Sequence, residues 1–98
     1  MMKCLQAETG AGIVFFPDGE ICVENVKEFS EKVLLEAGNS SSVTIDLHDV
    51  RFIDSAGVGA ILSLMRNFEE RGARFFVRRL NPLLKISLAN FLKIECGF

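Results

Sequence analysis

The chain has 98 residues, 49% of them hydrophobic and 24% charged, with a formal net charge of −2. That length predicts one domain with a modest core. The hydrophobic fraction excludes a disordered chain, and the slightly acidic balance argues against a nucleic-acid-binding protein.

The charge is unevenly divided. Residues 1–50 carry three Lys and nine acids, and residues 51–98 carry eight Lys plus Arg and four acids. Either this polarity is an ordinary solvated surface, or it orients the protein on a partner. Nine Phe with no Trp or Tyr assign the aromatics to packing. Cys4, Cys22 and Cys96 have neither metal-ligand nor disulfide-framework spacing, which fits a reducing, cytoplasmic setting. The first residues lack the apolar run of a signal peptide. No window approaches the roughly 20 apolar residues that span a bilayer, so no membrane partner is expected.

In chain order, Met2 to Ala7 reads as a first strand. A turn at Glu8-Thr9-Gly10-Ala11-Gly12 leads to a second strand, Ile13-Val14-Phe15-Phe16, making a β-hairpin that Pro17-Asp18-Gly19 ends. A helix from Val23 to Ala37 places Val26, Phe29, Val33 and Ala37 on one face, with Gly38 after its end. Val43-Thr44-Ile45-Asp46-Leu47 alternates as a half-buried strand, with Thr44 and Asp46 on the second face. After Asp49 to Ile53, a second helix runs from Ala56 to Arg71, with Val58, Ile61, Leu62, Met65 and Phe68 as its core face. Ala73 to Arg78 alternates again, with Arg74 and Arg78 turned away from Ala73, Phe75 and Val77. Asn81-Pro82 is a strong helix start for a short helix over 82–90, and residues 91–96 read as a last, edge strand.

The order β-β-α-β-α-β-α-β predicts an α/β fold. Its sheet is a single mixed layer, with an antiparallel opening hairpin and right-handed parallel crossovers. A parallel sheet covered on both faces has strands apolar on both sides. Two strands here alternate instead, so the helices cover mainly one face.

The chain is organised around Phe52-Ile53-Asp54-Ser55-Ala56-Gly57-Val58-Gly59, where an apolar strand stops and a helix begins. Asp and Ser accept hydrogen bonds from the free N–H groups at a helix start. Either Asp54 or Ser55 is simply a cap, or the Ser55 hydroxyl is modified or bound. Hydrolytic chemistry is poorly supported. Ile53-Asp54-Ser55-Ala56-Gly57 keeps only the second Gly of a nucleophile elbow, and the only His, His48, reads as an exposed loop residue. Gly57-Val58-Gly59 lacks the third Gly of a dinucleotide fingerprint, which would fall at Leu62. No cofactor, metal or enzyme activity is expected. Ala56, Gly59, Ala60 and Ser63 form a small-residue stripe on the second helix, open either to a partner or to internal packing.

Val43 to Leu47, followed by Val50 to Gly59 with its Asp54-Ser55-Ala56-Gly57 turn, resembles the central signature of STAS domains, most closely those of bacterial anti-sigma factor antagonists. Gly19-Glu20-Ile21 resembles the family's Gly-Glu-Leu segment, and Asn81-Pro82 its third-helix start. The resemblance spans nearly the whole chain and implies a single STAS domain over residues 1–98. It further implies a switch protein in which Ser55 is phosphorylated by an anti-sigma factor that is also a serine kinase. The unphosphorylated form would bind that factor and free the sigma factor, and a phosphatase would restore it from phospho-Ser55. Asp54, Ser55, Ala56, Gly57, Gly59 and Ser63 are the expected partner-binding residues. A second copy of the chain is a further candidate partner. Two departures stand out: Cys22 occupies the place of an acid common after Gly-Glu-Leu, and the family's helix after the last strand has no counterpart before Phe98. An alternative within the family is a STAS subunit serving a transporter or a larger signalling assembly.

Overall fold

The computed structural model describes residues 4–9, 12–80, 82 and 84. Strands β1 (Cys4–Thr9) and β2 (Gly12–Pro17) form the expected antiparallel hairpin. β3 (Gly19–Ile21) and helix α1 (Val26–Ala37) follow, then β4 (Ser42–Asp46), β5 (Val50–Ile53), helix α2 (Ser55–Glu70) and β6 (Arg74–Arg78). The main sheet has the order β1-β2-β4-β6, with β2-β4 and β4-β6 parallel. This is the mixed α/β layout predicted from the strand–helix alternation.

One part of that expectation is corrected. Six described strands form two sheets, because β3 and β5 pair in parallel on their own. The chain bends at Asp18-Gly19, with Gly19 at φ 80°, so β3 does not continue the line of β2. Its three residues instead find hydrogen bonds on Val50–Ile53.

The core lies between the main sheet and the helices. Ile13 and Phe15 from β2, Val43 and Ile45 from β4 and Val77 from β6 meet Phe29 and Val33 of α1 and Val58, Ile61, Leu64 and Phe68 of α2. The α1 face is as the periodicity predicts, but the helix starts at Val26 and not at Val23. Cys22 to Asn25 form a turn in which the Cys22 carbonyl accepts the N–H groups of Asn25 and Val26, and this leaves Val23 70% exposed. On α2, Leu64 is buried, whereas Leu62 and Met65 are only half-buried. The buried face is therefore rotated slightly from the expected one.

The second face of the sheet is partly open, as alternation implies. Phe76 is 49% exposed, and Thr44 is half-buried. Asp46 breaks the pattern, being fully buried. Its carboxylate Oδ2 accepts Arg78 Nε–H at 2.9 Å and Arg79 Nε–H at 2.7 Å, and its Oδ1 accepts the His48 N–H at 3.0 Å. A carboxylate leaves water at tolerable cost only when so compensated. Burial pushes the Asp46 carboxyl up, but the bonds from His48, Arg78 and Arg79 outweigh it and hold the group below the ordinary carboxylate range. Arg79 has φ 58°, a left-handed conformation that costs a non-glycine residue roughly 1–2 kcal/mol.

Pro82 and Leu84 are helical, and Leu84 joins the core. The rest of the helix expected over 82–90, the strand expected over 91–96 and any element after it lie outside the described residues.

Candidate functional site

The strand-to-helix turn resolves the choice between Asp54 and Ser55. Asp54 has extended backbone (φ −99°, ψ −176°), and its Oδ1 accepts the Gly57 N–H at 2.8 Å, so it is the N-cap of α2. Ser55 is the first helical residue and is exposed. The capping work falls to the aspartate, and the serine hydroxyl is left at the surface beside the partial positive charge of a helix N-terminus.

Asp54 also reaches outside its own turn. Its Oδ2 accepts the Val23 N–H at 3.0 Å, and its own N–H donates to the Ile21 carbonyl at 3.3 Å. The Gly57 and Val23 N–H groups stabilise the carboxylate and hold its pKa below the ordinary value. The β3–α1 loop is in turn braced by Asn25, whose Oδ1 accepts the Cys22 N–H at 3.0 Å and whose Nδ2 donates to the Glu20 carbonyl at 2.8 Å. The end of β3, the start of α1 and the start of α2 are thus joined into one hydrogen-bonded surface.

Gly57 makes that joint possible. A Cβ at this position would collide with the Ile21 carbonyl oxygen and stand 2.6 Å from Ile53 Cγ1. Gly57 is accordingly buried and serves the packing of α2 against β3 and β5. Gly59 is exposed, and a Cβ added there would meet nothing within 4 Å. Ser63 is exposed too, and Ala56 and Ala60 are half-buried. Of the small-residue stripe, Gly59 and Ser63 therefore face solvent and not another helix.

Sequence reasoning missed Val23, Asn25 and Phe52. Val23 looks like the first residue of a helix, but it lies in the loop that Asp54 holds. Phe52 is 50% exposed, because β5 buries only its first and last residues, Val50 and Ile53. Cys22, at the position where the family often has an acid, is 7% exposed, so its neighbour Val23 presents the side chain at this surface. The one sequence signal is Asn25, three residues after Cys22, a spacing suited to an Asn side chain closing a turn.

His48 is exposed, and its Nδ1 lies 2.9 Å from Asp49 Oδ1. Its ring pairs with its neighbour and not with Ser55. Among the described residues, no group of three or more His, Cys, Asp or Glu could hold a metal ion. Among them, too, no helix is long and apolar enough to cross a membrane.

The fold and turn together define a small α/β domain that presents a serine at the start of a helix, with its neighbouring aspartate as the cap. The STAS domain model matches residues 5–94, and the chain belongs to the STAS domain family. No match is found among curated protein sequences. Among solved structures, the fold is similar to that of an anti-sigma factor antagonist from Mycobacterium paratuberculosis, with a TM-score of 0.73, 18% identity, and coverage of 95% of this chain and 81% of that one. It is also similar to the Bacillus cell fate determinant SpoIIAA in its phosphorylated form, with a TM-score of 0.70, 22% identity, and coverage of 93% and 82%. The murine Solute Carrier 26 family member A9 anion transporter gives a TM-score of 0.77 at 18% identity, over 86% of this chain but 14% of the transporter.

Proposed function

We propose that this chain is an anti-sigma factor antagonist switched by phosphorylation of Ser55. It acts by binding and not by catalysis. In the unphosphorylated form it binds an anti-sigma factor, itself the serine kinase, and so frees the sigma factor; phosphate on Ser55 ends that binding, and a phosphatase restores it. The observation that carries the reading is the division of labour at the turn: Asp54 caps α2, and the Ser55 hydroxyl is left exposed. The serine can then be modified without dismantling the helix start.

The expected energetics fit a switch that works at the surface. Phosphate adds about −1.5 to −2 charge beside Asp54. The helix N-terminus favours an anion by roughly 0.3–1 kcal/mol, and repulsion from Asp54 opposes that gain, so folding changes little. In a docked interface, a dianion must lose water against partner groups arranged for a neutral hydroxyl, which costs several kcal/mol. Asp54, Ala56, Gly59 and Ser63 would line the partner surface with Ser55, while Gly57 would act from beneath it.

The test is mass spectrometry of the protein from its own host, followed by affinity measurements on the two forms. Phosphate on Ser55 with loss of partner binding is the expected result, and unchanged affinity would refute the switch. The similarity to a transporter's domain supports a second reading, a STAS component of a transporter or larger signalling assembly. Co-purification separates the two: a kinase-fold anti-sigma factor favours the first, an ATPase transport subunit the second.

A further inference from the structure

Arg78 and Arg79 are consecutive, and consecutive residues of a strand point to opposite faces. Here both guanidiniums nevertheless reach the same atom, Oδ2 of the buried Asp46. Arg78 does so as the cross-strand neighbour of Asp46 in the β4–β6 register. Arg79 does so because its backbone turns into the left-handed region at φ 58°, and a strained non-glycine residue of this kind persists where its surroundings hold it. The result is two like charges drawn together at one end of the sheet, with one buried carboxylate between them.

Each guanidinium spends only its Nε on Asp46. The two side chains are 44% and 53% exposed. The carboxylate neutralises one of the two charges. Its other oxygen accepts the His48 N–H, so one positive charge is left over between the two guanidiniums and the carboxylate. The N–H donors of a planar guanidinium match the tetrahedral oxygens of phosphate, and the bond at Nε restrains where each guanidinium lies. Phe76, 49% exposed, and the exposed Arg74 continue the outer face of β6 beside it.

We infer that Arg78 and Arg79, clamped by Asp46, form a binding site for a phosphate group, either free phosphate or a phosphate monoester. The site is independent of the Ser55 turn. Free phosphate and a lipid phosphate headgroup share the chemistry that would be recognised.

The experiment titrates the full chain with inorganic phosphate at fixed ionic strength, following the arginine Nε–H signals by NMR. In parallel, sedimentation is measured with phosphatidylcholine vesicles that contain or lack phosphatidic acid. Saturable phosphate binding that shifts the Arg78 and Arg79 signals is expected. Arg79→Gly keeps the left-handed backbone comfortable and removes one fork, so it should weaken binding about tenfold or more. Arg51→Gln, an exposed arginine elsewhere, should leave binding unchanged. Capture by phosphatidic acid vesicles without binding of free phosphate would assign the headgroup as the source, provided that Arg79→Gly abolishes it. Binding to neither probe, or binding by Arg79→Gly equal to that of the original chain, would overturn the proposal and leave the cluster a structural clamp.

Discussion

Asp54 Oδ2 accepts the backbone N–H of Val23 at 3.0 Å, across 31 residues of sequence. The same side chain caps α2 through Gly57. Asp54→Ala should therefore loosen two elements at once. The expected result is a melting temperature lower by a few degrees, with faster amide exchange at both Val23 and Gly57. Asp54→Asn keeps an acceptor oxygen and should fall between the original chain and Asp54→Ala. Faster exchange confined to Gly57 would show that the link to the loop contributes nothing.

Acid should expose the same dependence. The carboxyls of Asp54 and Asp46 are both held below the ordinary value of 3.8 in the folded chain. A depressed folded pKa stabilises the fold fully above the unfolded value, and this stabilisation is lost as pH falls through the folded value. Melting temperature should thus be flat from about pH 6 down to the ordinary carboxylate range and should drop below it. Asp46→Asn and Asp54→Asn should each make the acid limb shallower. Equal slopes in all three proteins would show that neither carboxylate is linked to folding.

The two glycines of α2 should respond in opposite directions. Helix propensity alone favours Ala over Gly by about 0.5–1 kcal/mol. At Gly59 nothing opposes that gain, and Gly59→Ala should raise the melting temperature. At Gly57 the added Cβ would run into the Ile21 carbonyl, and overpacking of this kind costs about 1–3 kcal/mol. Gly57→Ala should lower the melting temperature, and thermal denaturation of the pair decides the point.

Ser63 is exposed on the outer side of α2. If the proposed function holds, Ser63→Arg should weaken binding of the partner proposed above while leaving thermal stability nearly unchanged. A loss of folding would mean that the residue serves internal packing.

At Ser55 the expectations are threefold. Ser55→Ala should bind the partner and resist modification. Ser55→Asp should bind poorly, as one carboxylate only partly mimics a phosphate. Phosphorylated protein should show backbone NMR shifts confined to the α2 start and the adjoining β3–α1 loop, because Asp54 touches both. Shifts spread through β1, β2, β4 and β6 would contradict a surface mechanism.

The elements most legible in the sequence are those whose side chains repeat. Phe29, Val33 and Ala37 mark α1, and Val43 and Ile45 mark β4, because burial on one face imposes a period that composition displays. The Ser55 turn is legible for a different reason: a strand stop, a capping residue and a glycine fall within a few positions. What stays hidden depends on partners distant in sequence. Nothing local says that Asp46 is buried, because its burial requires Arg78 at the end of β6 and Arg79 just after it. Nothing local pairs Gly19–Ile21 with Val50–Ile53, and three-residue strands are too short to show alternation. The half-exposure of Phe52 follows from that pairing and is hidden with it.

The pairing of β3 with β5 also bears on when the surface around Ser55 comes into being. These strands lie on either side of α1 and β4 in the chain, so their contact closes a long loop and bears the entropy of doing so. The frame around Ser55 rests on non-local contacts, since Asp54 meets Val23 across 31 residues of sequence, and it is complete only once they have closed. A nascent or partly folded chain would carry the serine without the frame that displays it, and a partner that reads the frame would engage only molecules whose folding is complete.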